Sequence, residues 1–170
     1  ALFPLIFKWT GNKGWAASVF SVLMGISMVA LYFFSPNESP VLFYIFAALA
    51  QFFFSGFNTA IYAIIPDCVE YGEWKTGIRN DGFQYSFISL ANKIGMALGT
   101  SLLALVMGWA GYEANVEQSE TVKEVIHHAF STVPGILWII TAGIMLFYRL
   151  GRKEYNKIIE ELENRKTNNK

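Results

Sequence analysis

Charged side chains are concentrated in one short segment between two long apolar runs. Residues 67–81 read DCVEYGEWKTGIRND, and six of these fifteen residues carry a charge. Asp67 and Glu70 lie three residues apart, so their carboxylates share one face if a helix continues past Pro66. Thr76 and Gly77 predict the turn that follows. From the residues alone this segment is predicted as a charged loop whose surface ion pairs are individually weak.

A second chemically distinctive residue, Lys93, lies inside the apolar run that follows this segment. It comes nine residues after Gln84, roughly 14 Å along a helix, which is close to the middle of a membrane. A lysine at that depth costs at least about 2.5 kcal/mol on insertion scales unless it meets a partner or water. Snorkelling to the interface works only near a helix end. We therefore expect Lys93, with Tyr85, Ser89 and Asn92 on or beside its face, to look into a polar cavity.

Another polar stripe occurs in the apolar run before the charged segment. Gln51, Ser55, Asn58 and Tyr62 are spaced so that they fall on one helical face. Two interpretations remain open: hydrogen bonds between helices that hold a bundle together, or the lining of a water-filled cavity.

The elements that must position these residues are predicted to be transmembrane helices. Only 15% of the 170 residues are charged and 54% are hydrophobic, whereas soluble domains carry roughly 25% charged residues. A membrane-spanning helix needs about 20 mostly apolar residues. Windows of sufficient length lie at 15–34, 41–65, 84–110 and 130–148. The predicted fold class is an all-α membrane protein with four transmembrane helices.

The connecting segments alternate between basic and non-basic, which assigns their sides by the positive-inside rule. Residues 1–14 are predicted as the end of a preceding helix and a cytoplasmic loop. The other connections are a cytoplasmic charged loop at 66–83, an extracellular loop with a short helix at 111–129, and a cytoplasmic tail at 149–170. Thr121 and Glu124 have the spacing of a capping box for the short helix. The carboxy terminus is therefore predicted to be cytoplasmic.

Several function classes are not supported by the sequence. Cys68 is the single cysteine, and no Cys/His spacing predicts a metal site or another cofactor. No catalytic nucleophile, phosphate-binding loop or intramembrane His/Asp/Glu constellation is recognised, so we expect no enzyme and no nucleic-acid partner. The chain shows no signal peptide and is expected to be part of a longer protein. No Asp or Glu lies in the four windows, so Lys93 must find its counter-charge elsewhere.

The stretch at residues 65–95 (IPDCVEYGEWKTGIRNDGFQYSFISLANKIG) resembles a known family. It is similar to the loop and eleventh helix of the glycoside-pentoside-hexuronide:cation symporters, the relatives of the bacterial melibiose carrier within the major facilitator superfamily. The closing YRLGRKEYNKIIEELENRK is also similar to the tail of that family. The resemblance implies that the four spans are helices nine to twelve of a twelve-helix fold, with the first and last spans peripheral. The residues that match the signature are Asp67, Glu70, Tyr71, Gly72, Glu73, Trp74, Lys75, Thr76, Gly77, Arg79, Asp81, Tyr85, Ser86 and Lys93.

The resemblance implies a function, secondary active symport of a glycoside or other sugar by alternating access. Lys93 would lie near both the sugar and the coupling cation, Na⁺ or H⁺, which is bound mainly by residues outside this chain. The other candidate residues for coupling are Ser89, Tyr85, Asn92, Asn58, Gln51 and Tyr62. The candidate cytoplasmic gate consists of Asp67, Glu70, Arg79 and Asp81.

The same resemblance implies partners and a location. The expected partners are the sugar, the coupling cation, membrane lipid and the amino-terminal half of the transporter, in the cytoplasmic membrane of a bacterium. The alternative is a membrane scaffold or a lipid-type solute carrier of the same fold. The tail reads as an amphipathic helix that either docks on the carrier or binds a regulator.

Overall fold

The chain folds into helices only, within the ranges described by the computed structural model, residues 11–34 and 39–168 without the side chain of residue 168. The predicted all-α fold class is confirmed. Four stretches are long and apolar enough to cross a membrane, the last of them Glu120–Met145. The predicted end of a preceding helix, at residues 1–10, lies outside the described residues. The helices are α1 (Lys13–Phe33), α2 (Pro40–Thr76), α3 (Asp81–Trp109), α4 (Glu120–Phe130), α5 (Thr132–Met145) and α6 (Arg152–Asn168).

Helix α2 is much longer than the window at 41–65 predicts. It continues through Pro66 to Thr76, so most of the charged segment predicted as a loop at 66–83 is helical. Gly77 ends the helix with a left-handed φ of 75°, a conformation that glycine adopts without steric cost. Only residues 77–80 remain outside the helices here. The charged side chains favour this extension because they find partners on neighbouring elements.

Three other boundaries differ from the sequence expectation. Helix α3 begins at Asp81 rather than residue 84, because the Asn80 side chain accepts a hydrogen bond from the Phe83 N–H at 3.3 Å. The short helix is capped by Ser119, which accepts from the Val122 N–H at 3.4 Å, and not by Thr121. Helix α5 ends at Met145, before the predicted limit at residue 148.

The core of the described fold forms where α1 packs against both α2 and α5. Half of the most apolar stretch of α1 is buried, whereas none of the corresponding stretch of α3 is buried. The prediction that the first and last spans are peripheral concerns the complete twelve-helix fold and stays a prediction. Two α1 serines explain the close contact: Ser18 donates to the Ala142 carbonyl at 2.9 Å and Ser21 to the Trp138 carbonyl at 2.7 Å. Both acceptors belong to α5, so these hydroxyls join two helices.

Glycines set the distance between α1 and α5. A Cβ atom built on Gly135 would lie 2.7 Å from Val29 Cγ2 and 3.0 Å from the Gly25 carbonyl oxygen. Small residues let helix backbones approach closely in membranes, where packing is a main source of helix association. By contrast, no described atom comes within 4 Å of a Cβ built on Gly95 or Gly99 of α3. Within the described ranges, the helix glycines that bring two helix backbones together are therefore those of α1 and α5.

Adding one methyl group at this contact is expected to destabilise the fold. Gly135→Ala should cost about 1–3 kcal/mol, the usual range for overpacking a core, because the Val29 and Gly25 backbones stand in the way. The measurement is the thermal unfolding of the purified full-length protein in detergent. Gly143→Ala on the same helix is the matched control, since its Cβ meets no described atom within 4 Å. Equal effects of the two substitutions would contradict the packing account.

Candidate functional site

A buried carboxylate, Asp67, joins three elements at one end of the molecule. Asp67 is only 3% exposed. Lys13 Nζ lies 2.8 Å from Asp67 Oδ1 and also donates to the Ala63 carbonyl at 2.9 Å. The Tyr148 hydroxyl donates to Asp67 Oδ2 at 3.1 Å. We call Lys13, Asp67 and Tyr148 the Asp67 junction; it ties the start of α1 and the segment after α5 to α2.

The start of α1 is shaped to bring Lys13 to this place. Asn12 caps the helix by accepting a hydrogen bond from the Gly14 N–H at 2.8 Å, and its Nδ2 donates to the Tyr148 carbonyl at 3.2 Å. Gly14 leaves room for the Tyr148 side chain, because a Cβ on Gly14 would lie 2.6 Å from Tyr148 Cβ. With Lys13 at Oδ1 and Tyr148 at Oδ2, both oxygens of the buried Asp67 carboxylate have partners, as a charge removed from water requires.

A second group of charges surrounds Arg79 in the short connection between α2 and α3. Its guanidinium binds Asp81 through two nitrogens, at 2.8 and 3.0 Å, and Glu73 through a third at 3.1 Å. These hydrogen bonds, to Asp81 first and then Glu73, raise the pKa of Arg79 above its usual value. Lys166 of α6 reaches the other Glu73 oxygen at 3.3 Å. We call Glu73, Arg79, Asp81 and Lys166 the Arg79 cluster.

The carboxy-terminal helix α6 docks beside the end of α2. The Trp74 indole donates to Glu161 at 2.6 Å, and Arg165 donates to the Trp74 carbonyl at 2.8 Å. Ile158 and Leu162 supply the buried apolar side of α6, each 7% exposed. Of the two roles expected for the tail, docking on the carrier is the one that the structure displays.

Tyr155 and Glu70 link the same helix to α2 nearer to the Asp67 junction. Burial of Tyr155, and then its hydrogen bond to Glu70, raise the pKa of the phenol above its ordinary value. The second Glu70 oxygen is buried without a hydrogen-bond partner among the described residues. Glu70 is thus held by the tail.

The four candidate gate residues lie at one end of the molecule but in separate groups. Asp67 belongs to the junction, Glu70 contacts α6, and Arg79 and Asp81 belong to the Arg79 cluster. Sequence reasoning missed their partners, because all of these except Glu73 lie far away along the chain, and Glu73 lies six residues before Arg79 across the turn at Gly77. The missed residues are Lys13, Glu73, Tyr148, Tyr155 and Lys166.

The polar stripe of α2 faces away from the packed core. Gly56, Ala60 and Ile64 are buried toward α1 and its neighbours, and the stripe lies on the opposite helical face. Gln51 and Ser55 are exposed, Tyr62 is 64% exposed and Asn58 is partly exposed. Asn58 donates only to the Phe54 carbonyl of its own helix, at 3.3 Å. In the described part of the chain this stripe does not hold helices together.

The candidate residues of α3 are not covered by any other described helix. Lys93, Ser89, Asn92 and Tyr85 are all exposed, and Lys93 forms no ion pair with any described residue. The helix is attached to α2 near the connection, where the Gln84 amide donates to the Cys68 carbonyl at 3.1 Å. The structure therefore places the α2 and α3 candidates on two open faces and does not join them by a hydrogen bond within the described ranges.

Comparison with known proteins identifies the family. The model of the family described as MFS/sugar transport protein matches residues 1–152. The chain belongs to this family. It is 35% identical over 167 residues to a putative sulfoquinovose importer of Escherichia coli strain K12, covering 97% of this chain and 35% of that protein. The chain thus spans about a third of that relative. No solved structure matches it significantly.

Other relatives carry related names. A glucuronide carrier protein homolog of E. coli strain K12 is 38% identical over 108 residues, 64% of this chain and 24% of that protein. An isoprimeverose transporter of Lactiplantibacillus pentosus is 34% identical over 110 residues, 64% of this chain and 23% of that protein. The resemblance to glycoside carriers of the major facilitator superfamily is confirmed. With its four membrane-capable stretches, this member of the MFS/sugar transport family is a multi-pass membrane protein.

The Asp67 junction is expected to contribute more to stability than a surface ion pair. A double-mutant cycle of Lys13→Gln and Asp67→Asn should give a coupling of about 1–3 kcal/mol, below the largest values for buried pairs because Lys13 is partly exposed. Thermal unfolding of the full-length protein gives the free energies of unfolding of the wild type, the two single variants and the double variant. The control cycle is Lys123→Gln with Glu120→Gln, an exposed pair at 2.9 Å that should couple by less than about 1 kcal/mol. Similar coupling in both cycles would contradict the assignment.

Docking of α6 is expected to weaken in alkali. The pKa of Tyr155 is raised in the docked state. Its contribution to the free energy of docking is therefore complete below about pH 10, the ordinary tyrosine pKa, and declines above that pH because the phenol ionises when the helix is released. Tyr155→Phe should speed proteolytic release of the tail by about fivefold at pH 8, the effect of one lost hydrogen bond, and by less above pH 10. Tyr112→Phe, at an exposed tyrosine, is the control. If the ratio of the release rates of Tyr155→Phe and wild type did not change with pH, this prediction would be contradicted.

Proposed function

We propose that this chain is the carboxy-terminal portion of a secondary transporter that carries a sugar or glycoside together with Na⁺ or H⁺. Its four membrane-capable stretches correspond to helices nine to twelve of a twelve-helix major facilitator fold. The transporter resides in the cytoplasmic membrane and works by alternating access around a site near the bilayer midplane. Family membership and the names of the relatives support this class of function.

The observation that carries the proposal is the exposed polar face of α3. Lys93 lies near the middle of a 29-residue helix that has no buried residue in the described fold. Facing lipid, such a lysine would be costly, whereas a water-filled path or a counter-charge satisfies it. The stripe of α2, Gln51 to Tyr62, offers neutral hydrogen-bonding groups of the kind that bind sugar hydroxyls. Lys93, Ser89, Tyr85 and Asn92 on one helix and Gln51, Asn58 and Tyr62 on the other are proposed to line the path.

The coupling cation must meet carboxylates that these helices do not carry. The four predicted windows contain no Asp or Glu, whereas cation sites for Na⁺ or H⁺ in membranes are built on acidic groups and carbonyls. We place the cation-binding acids mainly in the amino-terminal half, with Lys93 close enough to respond to them. The amino-terminal half is therefore a required partner, together with the surrounding lipid.

The charged end is proposed to be the cytoplasmic gate. Lys13, Arg79 and the basic tail lie at this end, which the positive-inside rule assigns to the cytoplasm. In the Arg79 cluster, Arg79 and Lys166 are exposed, Asp81 is partly exposed and only Glu73 is buried. Ion pairs with exposed partners are weak enough to break in each transport cycle. The buried Asp67 junction, in contrast, is suited to keep α1 and α2 together as one rigid body while the gate opens.

Replacing Lys93 should abolish coupled transport. In liposomes that contain the full-length transporter, Lys93→Ala is expected to reduce gradient-driven accumulation of labelled α- or β-glycosides tenfold or more, since losing a charge-assisted contact costs about 1.5–3 kcal/mol. Uptake is measured with and without an imposed Na⁺ or H⁺ gradient. Lys123→Ala is the matched control, because Lys123 lies outside the spans and pairs with Glu120.

Two results would overturn the proposal. Wild-type protein that accumulates none of the glycosides under either gradient would favour the membrane scaffold or lipid-type carrier instead. Unchanged accumulation by Lys93→Ala would remove Lys93 from the coupling mechanism.

A further inference from the structure

A cavity of about 390 Å³ lies between the end of α2 and the docked helix α6. Its volume falls in the range of small-molecule sites. Tyr71 and Trp74 of α2 line one side, and Glu154 and Lys157 of α6 line the other, with Arg149 at its edge. The ring centroids of Tyr71 and Trp74 are 5.8 Å apart. None of these side chains belongs to the candidate transport path or to the Asp67 junction.

The position of the cavity along the molecule matches the level of lipid headgroups. Arg149 follows Tyr148, which binds Asp67 where the apolar part of α2 ends. Trp74 lies seven residues beyond Asp67, roughly 10 Å further along a helix. The headgroup layer begins at the hydrocarbon boundary and is about 5–8 Å thick on each side. Tryptophan and tyrosine are enriched at this level. Tyr71, four residues beyond Asp67 and roughly 6 Å along the helix, lies within the layer, and Trp74 lies just outside it.

The charges around the cavity lack partners of their own. Arg149, Glu154 and Lys157 form no ion pair or side-chain hydrogen bond with the rest of the described chain. Glu161, which also lines the cavity, is occupied by the Trp74 indole at 2.6 Å. Glu154 and Lys157 are three residues apart and share one face of α6. The cavity therefore presents two free cations and one free carboxylate beside two aromatic rings.

We propose that this cavity binds the headgroup of a phospholipid that carries a primary ammonium group, as in phosphatidylethanolamine. Arg149 and Lys157 receive the phosphate, for which guanidinium and ammonium groups are suited. Glu154 accepts hydrogen bonds from the headgroup ammonium, and the Trp74 ring adds cation–π attraction; the Tyr71 ring already has Lys75 Nζ 5.7 Å from its centroid. The bound lipid stabilises the docked position of α6. This inference depends on insertion into a membrane and is independent of the transported substrate.

The three common headgroup types separate this proposal from its competitors. A choline headgroup has the same charges but no N–H group to donate to Glu154. A glycerol headgroup carries the phosphate and can donate from its hydroxyl groups, but it has no cation for Glu154 or the Trp74 ring to attract. Free phosphate lacks both the cation and the anchoring chains. Recognition by this cavity thus predicts an order of affinity with phosphatidylethanolamine first.

The test uses the full-length transporter purified in detergent, with short-chain phosphatidylethanolamine, phosphatidylcholine or phosphatidylglycerol added. The shift in unfolding temperature gives an apparent affinity for each lipid, and native mass spectrometry counts the molecules retained. Glu154→Gln is compared with Glu160→Gln, and Arg149→Gln with Lys153→Gln. Both control residues are exposed on α6 and do not line this cavity.

The expected result is a preference for phosphatidylethanolamine that Glu154→Gln abolishes, with binding about tenfold weaker, the scale of one charge-assisted hydrogen bond. Arg149→Gln should weaken binding of all three lipids, and the controls should change none. Inorganic phosphate that shifts the unfolding temperature equally would identify an anion site instead. Equal affinity for the three lipids, strongest binding of phosphatidylglycerol, or a preference that survives Glu154→Gln would overturn the proposal.

Discussion

The burial of one carboxylate constrains the whole charged end of this protein. Asp67 lies at the membrane end of α2 and is almost inaccessible to water, so it must be neutralised by groups brought to it. Lys13 and Tyr148 meet this requirement from opposite ends of the chain. These three side chains hold three segments side by side at the same height along the helices: the start of α1, the end of the apolar part of α2 and the segment after α5.

The close packing of α1 against α5 then determines which face of α2 stays open. Gly25 and Gly135 bring the α1 and α5 backbones together, and Ser18 and Ser21 attach one to the other. Helix α2 uses its Gly56–Ile64 face to complete this core. Its hydroxyl and amide side chains consequently point elsewhere, and α3 adds a second polar face with Lys93. The packed core thus supports two open faces whose chemistry suits a polar solute.

The sequence predicted the parts of this arrangement that depend on local pattern. Four apolar stretches, the polar stripe of α2 and the mid-helix position of Lys93 all follow from length and helical periodicity. The turn at Gly77 was also recognised. The Asp67 junction could not be predicted, because Lys13 and Asp67 are 54 residues apart and no spacing rule connects them. Nor does a helical serine reveal its acceptor: Ser27 bonds to its own helix, whereas Ser18 and Ser21 bond to α5. The continuation of α2 past Pro66 depends on partners supplied by α1 and α6.

The central claim is that the Lys93 face of α3 lines a water-filled sugar path. The most direct measurement is cysteine scanning of α3 in the full-length transporter, with a charged, membrane-impermeant thiol reagent. We predict fast labelling at positions 85, 89 and 92, slowed when a transported glycoside is present, and little labelling at Phe87, Ile94 and Leu98 on the opposite face. Labelling without this helical periodicity, or without protection by any glycoside, would contradict the claim.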